Sequence, residues 1–137
     1  MLKQISVFLP NEPGILAKFT KVLMDKQINM RAISVAETSD YGILRILVDK
    51  PEECIEILKE NNYLAITTDV IAVDVPDKPG ALHEITKLLG DNRINIEYLY
   101  STILRDEAII VLRIDNINKA VEVLKNKGVK LIEKQEF

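Results

Sequence analysis

A chain of 137 residues that is 47% apolar and 28% charged carries enough apolar material for a folded core and is not composed like a disordered tail. No apolar run reaches the roughly 20 residues with which a helix spans a bilayer, so no membrane role is expected. The formal net charge is −3, with Lys and Arg dispersed among Glu as in PEECIEILKENN; this excludes the clustered cations that supply most of the affinity for nucleic acid.

The chain opens as MLKQISVFL, one Lys and then a strand-like run that is too short for a secretory signal and gives way to the polar residues of PNEPG. A cytoplasmic protein is therefore expected. QISVFLP is a strand stopped by Pro10, and PGILAKFTKVLMDKQ carries Leu16, Phe19, Thr20 and Leu23 at helical spacing, with Pro13 suited to the first turn. NMRAISVAETSDYGILRILVD reads as two strands joined by a tight turn at Ser39 and Asp40. PEECIEILKENN is a second helix, opened by Pro and acidic residues and closed by Asn, and YLAIT is a last strand. The same elements then recur: strand 70–76, helix 79–91, strands 95–105 and 107–114, helix 117–127 and strand 130–134.

This recurrence is a repeat, because sliding the chain against itself by 66 positions without a gap superposes like on like. Ile5, Val7, Pro10, Pro13, Gly14 and Leu16 meet Ile71, Val73, Pro76, Pro79, Gly80 and Leu82. Thr20, Lys21, Leu23, Asp25, Ile28 and Asn29 meet Thr86, Lys87, Leu89, Asp91, Ile94 and Asn95, and Asp49 meets Asp115. Two units, 1–68 and 69–137, each of order βαββαβ, predict an α+β fold of tandem ferredoxin-like units: antiparallel sheets with helices on one face, paired side by side. A unit of this size buries only about 60% of its unfolded surface, which favours packing of the copies. The near-continuous apolar runs GILRILV and AIIVLRI predict strands covered on both faces, hence a further partner surface and a homodimer.

Little of the sequence suggests reaction chemistry. The single cysteine, Cys54, falls in a helix and reads as a small buried apolar residue; the single histidine, His83, reads as a surface residue of the helix that begins at Pro79. No Cys–His or Ser–His–Asp set, no metal cage and no phosphate loop can be assembled, so no enzyme, metal or cofactor is expected. Tyr98 and Tyr100 alternate onto one strand face near Asn95, where they either pack at a sheet surface or line a pocket.

The βαββαβ order, an Asn or Asp one spacer before PG after the first strand, and IN at the start of the second strand together resemble the ACT domain. NEPGILAKFTKVLMDKQINM and DKPGALHEITKLLGDNRINI carry the resemblance in both halves, so that the whole chain resembles two ACT domains in tandem without a catalytic domain. The resemblance implies a regulatory module that binds a free amino acid between ACT units and acts on a separate enzyme or regulator. It places the ligand against Asn11, Glu12, Pro13, Gly14, Ile15 and Leu16 in one copy, and against Asp77, Lys78, Pro79, Gly80, Ala81 and Leu82 in the other. Asn29 and Asn95 match a second ligand-contacting Asn of some members. The chemistry suits that role: the free N–H groups that open a helix bind a carboxylate, and Asn11 or Asp77 offers oxygen to an ammonium. Two plainer roles compete, since Asn or Asp before a helix is a routine cap and Asn after one a routine left-handed stop. The alternative function is an assembly module with vestigial ligand sites. A small enzyme on the same topology would need an anion-binding Arg in the first loop or a Cys-x-x-Cys pair, and an RNA binder would need paired aromatics on its central strands; the sequence has none of these.

Overall fold

The computed structural model describes residues 1–134. The chain forms ten elements: β1 (Leu2–Pro10), α1 (Ile15–Asp25), β2 (Met30–Glu37), β3 (Tyr41–Val48), α2 (Pro51–Glu60), β4 (Ala65–Asp74), α3 (Ala81–Asp91), β5 (Ile96–Leu104), β6 (Glu107–Ile114) and α4 (Ile117–Asn126). Two compact units result, one of residues 3–68 and one from Asp69 onward together with Met1 and Leu2. Each has the ferredoxin-like βαββαβ arrangement expected from the sequence.

In the first unit β3 lies between β1 and β2, antiparallel to both, with Ile5 opposite Ile46, Val7 opposite Leu44, and Val35 also opposite Leu44. The other side of β1 takes the chain that comes after α2, where the Phe8 N–H donates to the Leu64 carbonyl at 3.2 Å. The second unit repeats this order, with β6 between the later part of β4 and β5. Its last strand, expected over 130–134, is only a short pairing. The Asp74 N–H donates to the Lys130 carbonyl (3.0 Å), the Ile132 N–H donates to the Ala72 carbonyl (2.8 Å), and Val73 bridges Leu131.

The helices cover one face of each sheet because their apolar residues recur at a spacing near 3.6. In α1 the stripe is Ile15, Phe19, Val22 and Leu23, packed on Ile5, Val7, Leu44 and Ile46; Phe19 also meets Tyr63 edge-on, with ring centroids 5.3 Å apart. Cys54, Ile57 and Leu58 of α2 complete this core. In the second unit Ala81, Ile85 and Leu89 of α3 and Ala120 and Leu124 of α4 pack on Ile71, Val73, Leu112 and Ile114. Burying each large side chain of this kind stabilises by about 1.5–3 kcal/mol relative to leaving it exposed. Leu16, expected on the apolar stripe, is a correction: it is 43% exposed, as is Leu82 at 39%. Each sits one residue, or about 100°, round the helix from the core-facing Ile15 or Ala81.

Several residues shared by the two copies have structural partners that are also shared. The Asn29 N–H donates to Asp49 Oδ1 (3.0 Å) while the Asp49 N–H donates to the Asn29 carbonyl (3.1 Å), and Asn95 and Asp115 make the same reciprocal pair at 3.1 and 3.2 Å. Lys21 pairs with Asp25 and Lys87 with Asp91 along α1 and α3, at 2.9 and 2.7 Å. The left-handed stops after these helices fall at Gln27 and Arg93, with φ of 57° and 59°, and not at Asn29 and Asn95.

The expectation of strands covered on both faces holds for β6, where Ile109 and Val111, on the side away from the helices, are fully buried. Exposed apolar surface lies instead on β2 and β5, each hydrogen-bonded in its own unit along one side only. Ile33 and Val35 on β2, and Leu99 and Ile103 on β5, are exposed on the helix side of the sheet.

The Cys54 environment makes a pH prediction. Burial, reinforced by the negative charge of Asp49, pushes its thiol up from 9.0 to about 12. The folded chain therefore holds a proton that the unfolded chain loses above pH 9.0, so this contribution to stability is intact below that pH and falls as pH rises toward 12, by at most about 1.4 kcal/mol per pH unit. Urea denaturation on either side of this threshold should show the wild type losing more stability with pH than Cys54→Ala. Equal losses would mean that the thiol ionises freely in the fold.

Candidate functional site

Between β1 and α1 the chain turns through Asn11, Glu12, Pro13 and Gly14, and between β4 and α3 through Asp77, Lys78, Pro79 and Gly80. Gly14 and Gly80 are the N-caps of α1 and α3, and both are left-handed, with φ of 84° and 89°. A Cβ on either would meet nothing within 4 Å. Backbone conformation, and not crowding within the unit, is what calls for glycine here.

A glycine N-cap has no side chain to accept from the first helical N–H groups, and neither helix has a side-chain cap. The capping role considered for Asn11 and Asp77 is thus not what they do. The Ile15 N–H reaches the Glu12 carbonyl (3.4 Å) and the Lys18 N–H reaches Gly14 (3.0 Å); Ala81 to Lys78 (3.3 Å) and Glu84 to Gly80 (3.1 Å) repeat the pattern. Among the described residues the N–H groups of Leu16 and Ala17, and of Leu82 and His83, have no acceptor. They form the positive end of each helix.

Each turn borders a cleft. In the first unit the cleft encloses about 200 Å³ and is lined by Leu9, Pro10, Asn11, Glu12, Ile15 and Leu16 from the turn, by Val35 and Glu37 of β2, and by Gly42 and Leu44 of β3. In the second it encloses about 670 Å³, lined by Val75, Pro76, Asp77, Lys78 and Leu82, by Ser101, Thr102 and Ile103 of β5, and by Ala108 and Ile110 of β6. Nine of the ten residues lining the first cleft have their 66-residue counterparts in the second, from Leu9 and Val75 to Leu44 and Ile110; the exception is Ile15. Leu16 and Leu82, both exposed, are among the residues that line these clefts.

The polar groups differ. Asn11 Nδ2 donates to Glu37 Oε2 at 3.3 Å and to the Thr38 carbonyl at 3.4 Å, whereas Asp77 has no partner among the described residues. Asn29 does not join Asn11: it borders a separate cleft of about 590 Å³ with Ala17, Thr20, Lys21 and Met24, at the other end of the 11-residue α1. Asn95 is likewise beyond the far end of α3. Tyr98 and Tyr100 pair with Arg113 and Val111 and so lie on the sheet face away from the helices, outside the cleft. His83 is exposed on α3. Among the described residues no three His, Cys, Asp or Glu side chains are grouped to hold a metal ion, and no helix is long and apolar enough to cross a membrane.

Reading the turns alone misses the far wall of each cleft, at Val35, Glu37 and Gly42 and at Ser101, Ile103 and Ala108. The repeat offered one cue, since Glu37 and Ile103 occupy the same position with opposite polarity.

A family model described as ACT domain pair matches residues 1–137. The acetolactate synthase small subunit of Aquifex aeolicus is 26% identical over 148 residues, covering 92% of this chain and 73% of that one. The crystal structure of protein BT0572 from Bacteroides thetaiotaomicron matches with a TM-score of 0.93 at 38% identity, over 98% of this chain and 94% of that one. The ligand-free regulatory subunit of aspartate kinase from Thermus thermophilus has the same fold, with a TM-score of 0.68 at 21% identity over 90% and 91% of the two chains.

The left-handed N-caps make a stability prediction. Gly80→Ala should lose about 1–2 kcal/mol in urea denaturation, the cost of a left-handed L-residue, because the added methyl meets open space. An unchanged midpoint would mean that the turn relaxes to another conformation.

Proposed function

The chain belongs to the ACT domain pair family, and from that premise we propose that it binds a free amino acid at its strand-to-helix clefts and passes the bound state to a separate enzyme. The observation that carries this reading is the coincidence of the two clefts under the repeat, each lined by Leu16 or Leu82, whose helix N–H has no acceptor among the described residues, and by an amide or a carboxylate. In the second unit the ligand carboxylate accepts from the N–H groups of Leu82 and His83, and the ligand ammonium donates to Asp77. Its side chain lies along Leu82 and Ile110. Charge-assisted bonds of this kind contribute about 1.5–3 kcal/mol each.

The chain itself catalyses nothing under this proposal; the reaction belongs to the partner. Two similar proteins support that division, one named as the small subunit of a synthase and one, alike in fold, as the regulatory subunit of a kinase. A second copy of the chain is the further proposed partner. The open edges of β2 and β5, with Ile33, Val35, Leu99 and Ile103 exposed beside them, are the kind of surface that proteins cover.

Thermal-shift screening against the twenty amino acids tests the binding role. A ligand at one hundred times its Kd adds about 2.7 kcal/mol, and no shift at millimolar concentration with any of them would leave an assembly module instead. Asp77→Ser should leave the melting temperature of the free protein unchanged, since Asp77 has no bonding partner among the described residues, while weakening binding by roughly tenfold to over a hundredfold. Normal binding by this variant would remove Asp77 from the site.

Light scattering tests the homodimer. The expected mass is twice the 15.5 kDa of one chain, reduced to that of one chain by Ile33→Lys; a wild-type monomer at micromolar concentration ends the proposal.

A further inference from the structure

The two clefts share a backbone and differ in charge. In the first, Glu37 and Glu12 both line the wall, no basic side chain does, and the Asn11 amide is already bonded to Glu37 and to the Thr38 carbonyl. In the second, Lys78 stands in place of Glu12, and Ile103, 75% exposed, stands in place of Glu37. Asp77 is left without a bond among the described residues. The volumes follow the same division, about 200 Å³ against about 670 Å³.

We infer that each chain takes one amino acid, in the second-unit cleft, and that Glu37 closes the first-unit cleft to any ligand bearing a carboxylate. The inference rests on the amino-acid reading above and names the residue that decides which copy works. The Glu37 carboxylate accepts from the Asn11 amide and so ties to the cleft wall the side chain that would otherwise face a ligand ammonium. With Glu12 it places two negative charges on the lining of one small cleft, where both repel a ligand carboxylate. The helix N–H groups must then attract an anion against both. In the second cleft Lys78 and the N–H groups of Leu82 and His83 draw the carboxylate while Asp77 takes the ammonium. Leu82, Ile103 and Ile110 leave apolar surface for the ligand's side chain. The ligand class is accordingly an amino acid with one ammonium, one carboxylate and an apolar side chain.

Titration calorimetry of the full chain with each of the twenty amino acids, joined to methyl NMR, tests this. One ligand per chain is expected, drawn from the apolar amino acids, with shifts at Leu82 and Ile103 and none at Leu16 and Val35. Glu37→Ile, which installs the residue of the other copy, should raise the stoichiometry from one to two and bring Leu16 and Val35 into the response. Ile103→Glu should weaken binding to the second cleft at least tenfold. If Glu37→Ile does not fold, Glu37→Gln removes the charge at constant size and must bring the same Leu16 and Val35 shifts at millimolar ligand. Two ligands per wild-type chain, or Glu37 variants that gain no response there, would overturn the inference and leave amino-acid binding standing. Binding of no amino acid by the wild type would overturn both.

Discussion

A positive φ at Gly14 and again at Gly80 sets the direction of the first helix in each unit. At the end of the first strand the chain must reverse over the sheet within four residues in the first unit and six in the second, and the left-handed conformation accomplishes this at the residue just before the helix. The apolar stripe of α1 or α3 then falls on the sheet, with Ile15 and Phe19, or Ala81 and Ile85, facing the strands. The same conformation requires glycine, and glycine cannot cap. Helix N–H groups that a Ser or Asp cap would have satisfied are left without an acceptor among the described residues.

The internal repeat separates scaffold from site. Residues identical between the copies mostly do the same structural work twice: Thr20 and Thr86 bond back to the carbonyls of Ala17 and His83, Lys21 and Lys87 pair along their helices, and Asp49 and Asp115 clamp the start of the second strand. Those exposed helix ion pairs contribute only a few tenths of a kcal/mol each; the reciprocal clamps, made to backbone groups, fix the chain's entry into β2 and β5. The cleft is where the copies part. Asn11 faces Glu37, while Asp77 stands beside Lys78 across from Ile103. Two clefts on one backbone thus differ in charge and polarity without any change in fold.

Much of this fold is legible in the sequence because helix and strand periods are local. Phe19 and Leu23, Ile85 and Leu89, and the short apolar runs of β3 and β6 announce their elements from local pattern alone. Leu16 escapes such a reading because a helical stripe is broad, and a residue at its border faces the core or a cleft according to what packs beside it. Resemblance groups Asn29 and Asn95 with the turns, yet they come after helices of 11 residues whose beginnings border the clefts. Their backbone is committed to Asp49 and Asp115. Alternation puts Tyr98 and Tyr100 on one face, but which face depends on the register of β5 against β6.

The two units, their order of elements and the glycine turns can be read from the sequence, since each depends on residue type, period or a fixed offset. Which residues meet across a cleft is set by the folded arrangement of the strands. Glu37 lies 26 residues from Asn11 and bonds to it; Ile103 lies as far from Asp77 and borders the same cleft. Such meetings are set by strand register, which turns every side chain to the other face when it shifts by one residue. No local pattern records that register. It is fixed by the packing of whole strands, and the charge of each cleft is fixed with it.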